Sequence, residues 1–376
     1  MLGIIREAKT ENFKKLPGSF WVLSAFFNPT KVLSKRDNYR CFRENLARQG
    51  LKLLTVECAL NDNDFELEPG DADKLIQVRS NSVLWHKERL LNIGLKNLPA
   101  DCDKIAWLDA DIIFLDDSWA QEVAELLEKY HFVKPFNQAI RLDKKETASV
   151  LLNNNLKELN LDNRPQYNNS QYSVDQKNLI IYMSVFGLCA RLDIMQKIGF
   201  YDCLIIGSGD MIISGAILGE KPYQNILPPA LQKDIEKWTA KASNRVTDKG
   251  IAFISNSIVH LFHGRMINRN YSDRIKILKK RKFDPNQDLE LNEDECLEWG
   301  SNKKRMHRQV FGYFKNRNED DKLVKGIKIF VWEKSRMSLV YFGRFIERQI
   351  GCIGIKLKKD FPKLYYFLKK VISWQK

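Results

Sequence analysis

Hydrophobic positions in the first third of the chain fall into two alternating textures. SFWVLSAFFNP, residues 19–29, is a continuous apolar run stopped by Asn-Pro, which predicts a buried strand ending in a loop. Between 33 and 49, Leu33, Tyr39, Phe42 and Leu46 recur among charged positions at helical spacing, and Gly50 ends the helix. LKLLTVECA (51–59) and DKLIQVRS (73–80) read as a second and third strand. SVLWHKERLLNIGLKNLP (82–99) sets Leu84, Leu91, Leu95 and Leu98 on one side and predicts a helix stopped at Pro99. IAWLDADIIFLDD (105–117) is the fourth strand. A helix over 118–130 follows it, with Asp117 or Ser118 as its N-cap.

Strands alternating with helices imply an α/β fold with a mostly parallel central sheet covered by helices on both faces. In such sheets ligands bind beyond the carboxyl ends of the strands. Asn28, Glu57, Arg79 and Asp109–Asp111 all fall at such ends, and the pattern predicts that they share one rim. Residues 152–176 are Asn-rich and polar, the texture of an exposed, mobile loop. Further on, 228–242 reads as a helix opened by proline, 251–264 as a strand and 268–281 as a helix.

Composition is ordinary for a globular protein, 44% hydrophobic and 29% charged, but the net charge is +14. Its distribution matters more than its size. Residues 322–376 hold 14 Lys/Arg against three acids, or +11, which leaves 47 bases and 44 acids, or +3, for residues 1–321. Those totals divide the chain into a catalytic-sized domain, 1–321, and a basic tail, 322–376. The seven cysteines are scattered, with no C-x-x-C pair, which excludes a zinc ribbon and fits a reducing compartment. The opening residues lack the long apolar run of a secretory signal, and no window reaches the length of a membrane span.

Three stretches carry candidate chemistry. Asp109-Ala110-Asp111 ends the fourth apolar strand. Two carboxylates one residue apart supply hard oxygens to Mn²⁺ or Mg²⁺, which can also hold a diphosphate. On a strict strand they face opposite ways, so both serve one ion only if the chain turns at Ala110. The alternative is helix capping and surface charge. His260-Leu-Phe-His263-Gly264 places two of the five histidines at the end of an apolar run. Imidazole suits Mn²⁺ or Zn²⁺, and Gly264 permits the turn that brings both rings together. Otherwise one histidine packs and the other is exposed. In GSGDMII, Gly207–Ile213, Asp210 stands before an apolar helix, as its N-cap or as a general base near an acceptor hydroxyl.

In this order, D-x-D, then Gly-rich-Asp, then H-x-x-H, the motifs resemble those of metal-dependent glycosyltransferases of the GT-A fold, over residues 18–320. The pattern is similar to the β-1,4-galactosyltransferase type, where an aromatic-x-basic-x-x-Leu-Leu-Asn helix precedes the metal motif, as in WHKERLLN at 85–92. The resemblance implies that Trp85 and Lys87 contact the nucleotide diphosphate. It implies that Asp111 ligates the metal, that Asp109 lies on ribose or metal, and that His260 and His263 complete the ligand set. It makes Asp210 the catalytic base of an inverting transfer, and FFNP with Asn28 the loop meeting base and ribose. Glu57 and Arg79 would line the same nucleotide pocket. One departure is plain. The family's Trp-Gly-Gly-Glu-Asp reads Ile-Gly-Ser-Gly-Asp here, at Ile206–Asp210, so the tryptophan that packs on the acceptor sugar and the adjacent glutamate are absent.

The tail ends in FPKLYYFLKKVISWQK, with Leu364, Phe367, Leu368, Val371 and Ile372 at helical spacing and lysines around them. A basic amphipathic helix predicts attachment to an anionic membrane surface, which places the chain in the cytoplasm on the inner face of the membrane. Packing on the domain is the alternative for this tail. No nucleic-acid motif accompanies the charge, so nucleic acid is not expected as a partner. The sequence thus predicts an Mn²⁺- or Mg²⁺-dependent transferase taking a UDP-sugar to a glycan or lipid-linked glycan. The rivals are a sugar-phosphate nucleotidyltransferase and a non-catalytic nucleotide or glycan binder at the membrane. SAFFNPTK lacks the Gly-rich basic loop that the nucleotidyltransferase needs.

Overall fold

The computed structural model describes residues 3–8, 14–153, 167–168, 176–271 and 273–321. The basic tail over 322–376 and most of the polar loop over 152–176 lie outside the described residues. Met1–Asp321 makes one compact unit. Its first half runs β1 (Gly3–Arg6), β2 (Ser19–Phe27), α1 (Leu33–Arg48), β3 (Lys52–Leu60), β4 (Lys74–Ser80), α2 (Lys87–Lys96), β5 (Cys102–Leu108), β6 (Ile112–Phe114), α3 (Trp119–Leu127), β7 (Phe132–Lys134), β8 (Gln138–Arg141) and α4 (Lys144–Asn153). The second half runs β9 (Tyr167–Asn168), α5 (Gln176–Ser184), β10 (Gly187–Arg191), α6 (Leu192–Ile198), α7 (Gly209–Leu218), α8 (Pro229–Val246), β11 (Ile251–Phe253), β12 (Ser257–His260), α9 (Arg274–Lys280), α10 (Pro285–Asp288), β13 (Leu289–Leu291), β14 (Leu297–Trp299) and α11 (Lys304–Asn316).

Among the described residues eight strands pair in the order β1-β11-β7-β10-β5-β2-β3-β4. The block β5-β2-β3-β4 is parallel throughout, and β7 and β11 are parallel to each other. β10 is antiparallel to both its neighbours, and β1 is an antiparallel edge. Val22, Leu53 and Ala106 stand in register and pack with Tyr39, Phe42, Val123 and Leu127 of α1 and α3. The next residues along, Leu23, Leu54 and Trp107, pack on the other face with Leu91, Met195 and Ile212 of α2, α6 and α7. Side chains alternate in direction along a strand, so a sheet covered on both sides demands apolar residues at every position. That is why these strands read as unbroken apolar runs.

A second sheet, β6-β12-β8-β9, stands beside the first over its own small core of Ile113, Ile140, Val150 and Val259. The chain passes between the sheets at 109–111, 135–137 and 254–256. Two expected single strands are therefore split. IAWLDADIIFLDD becomes β5 and β6, and 251–264 becomes β11, parallel to β7, and β12, parallel to β8. Each half satisfies its backbone in a different sheet, and the polar residues between them make the crossing.

Three further expectations change. Residues 82–86 are not helical, because Trp85 N–H donates to Ile205 O at 2.9 Å and Ser82 N–H to Ser80 Oγ at 3.1 Å, so α2 starts at Lys87. Ser118 stands at the N-cap of α3, as one of the two candidates had it, but its side chain makes no capping hydrogen bond. Asp116 accepts the Ser118 N–H at 2.9 Å, and Asp117 takes Gln49 Nε2 at 2.8 Å. The helix over 268–281 is shortened to α9, after a tight 3-10 turn at Met266–Arg269 and a left-handed Asn270. Among the described residues no helix is long and apolar enough to cross a membrane.

Candidate active site

A cleft of about 190 Å³ opens beyond the carboxyl ends of β2 and β5, where the two sheets meet. The crossing at 109–111 is pinned by backbone on both sides. Asp109 N–H donates to Phe186 O at 3.1 Å, and Leu261 N–H donates to Asp111 O at 2.8 Å. The turn at Ala110 brings both carboxylates to the cleft, but it separates the two acids that were expected to share an ion. Asp109 pairs with Lys87 on α2, while Asp111 faces the imidazoles. Asp109 thus stands as the partner of Lys87, outside the cluster that Asp111 forms with His260 and His263.

β12 delivers His260 as its last residue, and a turn brings His263 back beside it. Gly264 makes that turn with φ at +95°, and a Cβ there would stand 2.7 Å from Glu319 Cα. His263 Nε2 lies 3.0 Å from Asp111 Oδ2, His260 Nε2 3.6 Å from Asp111 Oδ1, and the two Nε2 atoms 3.1 Å from each other. Donors at such spacing fit a first-row dication bonded to each at roughly 2.0–2.2 Å. Asp111 Oδ1 is buried without a hydrogen-bond partner, a demand that a cation meets. Burial lowers both histidines, His263 to about 4, which leaves the rings neutral and available as ligands at pH 7. Burial opposes ionisation of Asp111, but the two rings and Arg269 outweigh it and hold the carboxyl below its usual range. Behind the cluster, Glu319 Oε1 lies 3.5 Å from His263 Nδ1. A carboxylate in that position fixes which nitrogen faces the ion. Arg269 Nη2 meets His263 Nε2 as well. One nitrogen cannot serve both, so an ion held there would take the place of that guanidinium.

The opposite wall comes from α2 and α7. Lys87 is largely enclosed and charged. Burial works against its charge, but Asp109, Asp210 and Glu88 outweigh it and raise the lysine above its ordinary value. Asp210 sits inside the first turn of α7 and not at its cap, because the helix begins at Gly209. Burial foremost raises its carboxyl, Lys87 and Arg274 pull it down, and Met211 N–H donates to Oδ1 at 2.8 Å. Gly209 is needed for this close approach, since a Cβ there would fall 2.5 Å from Cδ of the buried Glu88. Burial pushes Glu88 itself up to about 8. Trp85 packs edge-on to Phe27 with centroids 5.3 Å apart, and its indole Nε1 is buried without a partner.

The cleft thus gathers Trp85, Lys87, Asp109, Asp111, Asp210, His260 and His263. It also holds residues that the motifs did not reveal, namely Lys35, Arg141, Arg269, Arg274, Arg317 and Glu319. Arg269 follows His263 closely enough for proximity to have flagged it. Arg317 and Glu319 arrive from the far end of the unit and carry no local signal.

Asn28, Glu57 and Arg79 lie outside this cleft, so the single expected rim is two. Asn28 and Glu57 line a smaller cleft that touches the first at Phe26. Asn28 binds Val32 through both its amide atoms, at 2.8 and 2.9 Å, and donates to Glu66 Oε2 at 2.9 Å. Glu57 accepts Glu66 N–H at 2.6 Å and Gln77 Nε2 at 2.9 Å, and burial raises its carboxyl. Arg79 donates to Asn61 O and Asn63 O at 2.9 and 2.8 Å, with its guanidinium 4.4 Å from the centre of the Phe65 ring.

No protein-family model matches this chain, and no curated protein matches it in sequence. Solved structures do resemble it. S. aureus TarS residues 1–349 in complex with UDP-GlcNAc is 13% identical, with a TM-score of 0.37, over 88% of this chain and 81% of that one. Glucosyl-3-phosphoglycerate synthase from Mycobacterium tuberculosis, in complex with Mn²⁺, UDP and glucosyl-3-phosphoglycerate, is 10% identical, with a TM-score of 0.37, over 75% of this chain and 87% of that one.

Proposed function

We propose that this chain is a metal-dependent glycosyltransferase that moves a sugar from a nucleotide donor, a UDP-sugar, to a hydroxyl of a glycan or lipid-linked glycan. The observation that carries the reading is the meeting, in one cleft, of the Asp111–His260–His263 cluster, the charged Lys87 and the buried carboxylate Asp210. The motif order of the β-1,4-galactosyltransferase type supports the same assignment of roles.

Asp111, His260 and His263 would hold the ion, and their mixed oxygen and nitrogen donors favour Mn²⁺ over Mg²⁺. Bound there, a dication supplies positive charge against the departing nucleoside diphosphate. Lys87 adds a second cation on the other side of the diphosphate, oriented by its pairing with Asp109. The unpartnered Trp85 Nε1 gives a neutral donor to the same region. Asp210 takes the proton of the acceptor hydroxyl, which attacks opposite the leaving group and inverts the sugar carbon. Burial makes Asp210 a stronger base than an exposed aspartate, and Lys87 and Arg274 act against that rise.

The tail over 322–376, at +11, is the membrane-facing part of the same proposal, holding the enzyme to the cytoplasmic surface. The full chain is expected to sediment with anionic vesicles and not with neutral ones, and to be released by salt. Binding of UDP followed by calorimetry, with Mn²⁺ and then with excess EDTA, tests the core of the reading. Turnover of UDP-sugars that survives EDTA, or survives Asp111→Ala in a folded protein, would remove the metal from the mechanism.

A further inference from the structure

Two guanidinium groups in the cleft form no direct ion pair among the described residues, and act on acids only at a distance, Arg269 on Asp111 and Arg274 on Asp210. Arg269 is 7% exposed and Arg274 is 5% exposed. Among the described residues neither forms an ion pair with a carboxylate, and the Nε of each is buried without a hydrogen-bond partner. Arg317 shows the contrast, since its Nε and Nη2 both meet Glu319, at 2.9 and 2.6 Å. Burying a charge without a counter-charge is costly, and an anionic ligand removes the cost when it binds.

The two arginines stand on different sides. Arg269 reaches His263, on the cluster side. Arg274 gives Nη1 to the Tyr313 hydroxyl at 3.0 Å and Nη2 to the Ser208 hydroxyl, two residues before Asp210. These partners are neutral, so they fix the direction of the fork and leave its charge intact. Its guanidinium also lies 4.7 Å from the centre of the Tyr271 ring, a residue half-open to solvent at the mouth of the cleft.

Charge balance points the same way. Among the described residues the lining holds six Lys/Arg, at 35, 87, 141, 269, 274 and 317, against four acids, at 109, 111, 210 and 319, a net +2 with neutral imidazoles. The charge of a dication and the two negative charges of a nucleoside-diphosphate sugar cancel, so this lining stays net positive with both bound.

We propose that Arg274, held by Ser208 and Tyr313, binds a phosphate or carboxylate group carried by the acceptor, so that the substrate class is an anionic hydroxyl compound. The inference rests on the glycosyltransferase reading of the same cleft. Arginine suits the role because its planar fork matches both anions and stays charged when buried.

Calorimetric titration of the full chain with inorganic phosphate, after saturation with Mn²⁺ and UDP, tests it. Phosphate is expected to bind that ternary complex. Arg274→Gln is expected to weaken phosphate about tenfold or more and to leave UDP affinity within about twofold. Arg274→Lys, which keeps a charge and guards against a merely misfolded glutamine variant, is expected to fall between the two, with an unchanged melting temperature. Phosphate that competes with UDP in the parent protein would overturn the proposal, because the guanidinium would then serve the donor diphosphate. Phosphate affinity unmoved by Arg274→Gln, or no phosphate binding at all, would overturn it too. Failure of the parent protein to bind UDP is a separate result. It removes the donor reading of the cleft, and phosphate titration of the Mn²⁺-loaded chain then decides whether Arg274 is an anion site.

Discussion

Two clefts open beyond the carboxyl ends of the same parallel strands, and they differ in what their polar groups have left to give. In the smaller one, Glu57 spends its oxygens on Glu66 and Gln77, and Asn28 spends its amide on Val32 and Glu66. These groups hold the loop after β3 in place. In the larger one, Asp111 Oδ1, Trp85 Nε1, Arg269 Nε and Arg274 Nε are buried with no partner. A buried polar atom without a hydrogen bond is unfavourable, and four of them gathered in one cleft point to a ligand that would answer them together. Polar residues at strand ends are common to both clefts. Unmet demand belongs to one.

Substitutions can break that contrast or sharpen it. The largest effect is expected from Asp210→Asn, which removes the base and should lower kcat by about 10²–10⁴ while UDP affinity in calorimetry stays within about twofold. An equal loss of UDP affinity would move Asp210 from acceptor chemistry to donor binding. Glu319→Gln comes next. It weakens the hold on His263 Nδ1 and should reduce Mn²⁺ affinity by about 10–100-fold, read from the metal dependence of UDP binding. Saturating Mn²⁺ should restore turnover if Glu319 acts only through the imidazole.

Lys87→Met should move the acid limb of the kcat/KM profile. Lys87 pulls down the Asp210 carboxyl, so without it the carboxyl rises further. A base works deprotonated, so activity should be lost at higher pH in the variant than in the parent. A limb that stays in place, or moves to lower pH, would detach Lys87 from Asp210. The smallest effect on function is expected in the other cleft. Glu57→Gln should cost about 1–3 kcal/mol of stability in thermal melts. It should leave UDP affinity within about twofold, whereas a larger loss would return Glu57 to the nucleotide pocket.

The parallel block was legible because its strands are buried on both faces. Val22 and Leu23, or Leu53 and Leu54, could not both be apolar on a sheet with a wet side. The crossings were not legible. β6, β11 and β12 are short strands, and a run such as IAWLDADIIF looks the same whether it stays in one sheet or changes sheets. In the site, residue type left Asp111, His260 and His263 open to other roles; the family resemblance paired them, and the fold does bring the three together. Arg274, Arg317 and Glu319 belong to no motif, and only tertiary folding brings them to the cleft. Glu57 shows the converse: its place at a strand end was right, but the sequence does not say that Glu66, Leu67 and Gln77 have already claimed it.

The last described residues close the unit on itself. Asp320 accepts the N–H groups of Leu33 and Ser34 at the start of α1, at 3.3 and 3.1 Å, while Glu319 lies against Gly264 and behind His263. The consequence is one of timing. A chain made from its amino end can pair β2 to β5 long before Glu319 leaves the ribosome. The sheet is then an early product of synthesis, and the brace behind His263 is a late one, since Glu319 reaches the imidazole only when nearly all of the unit has been made.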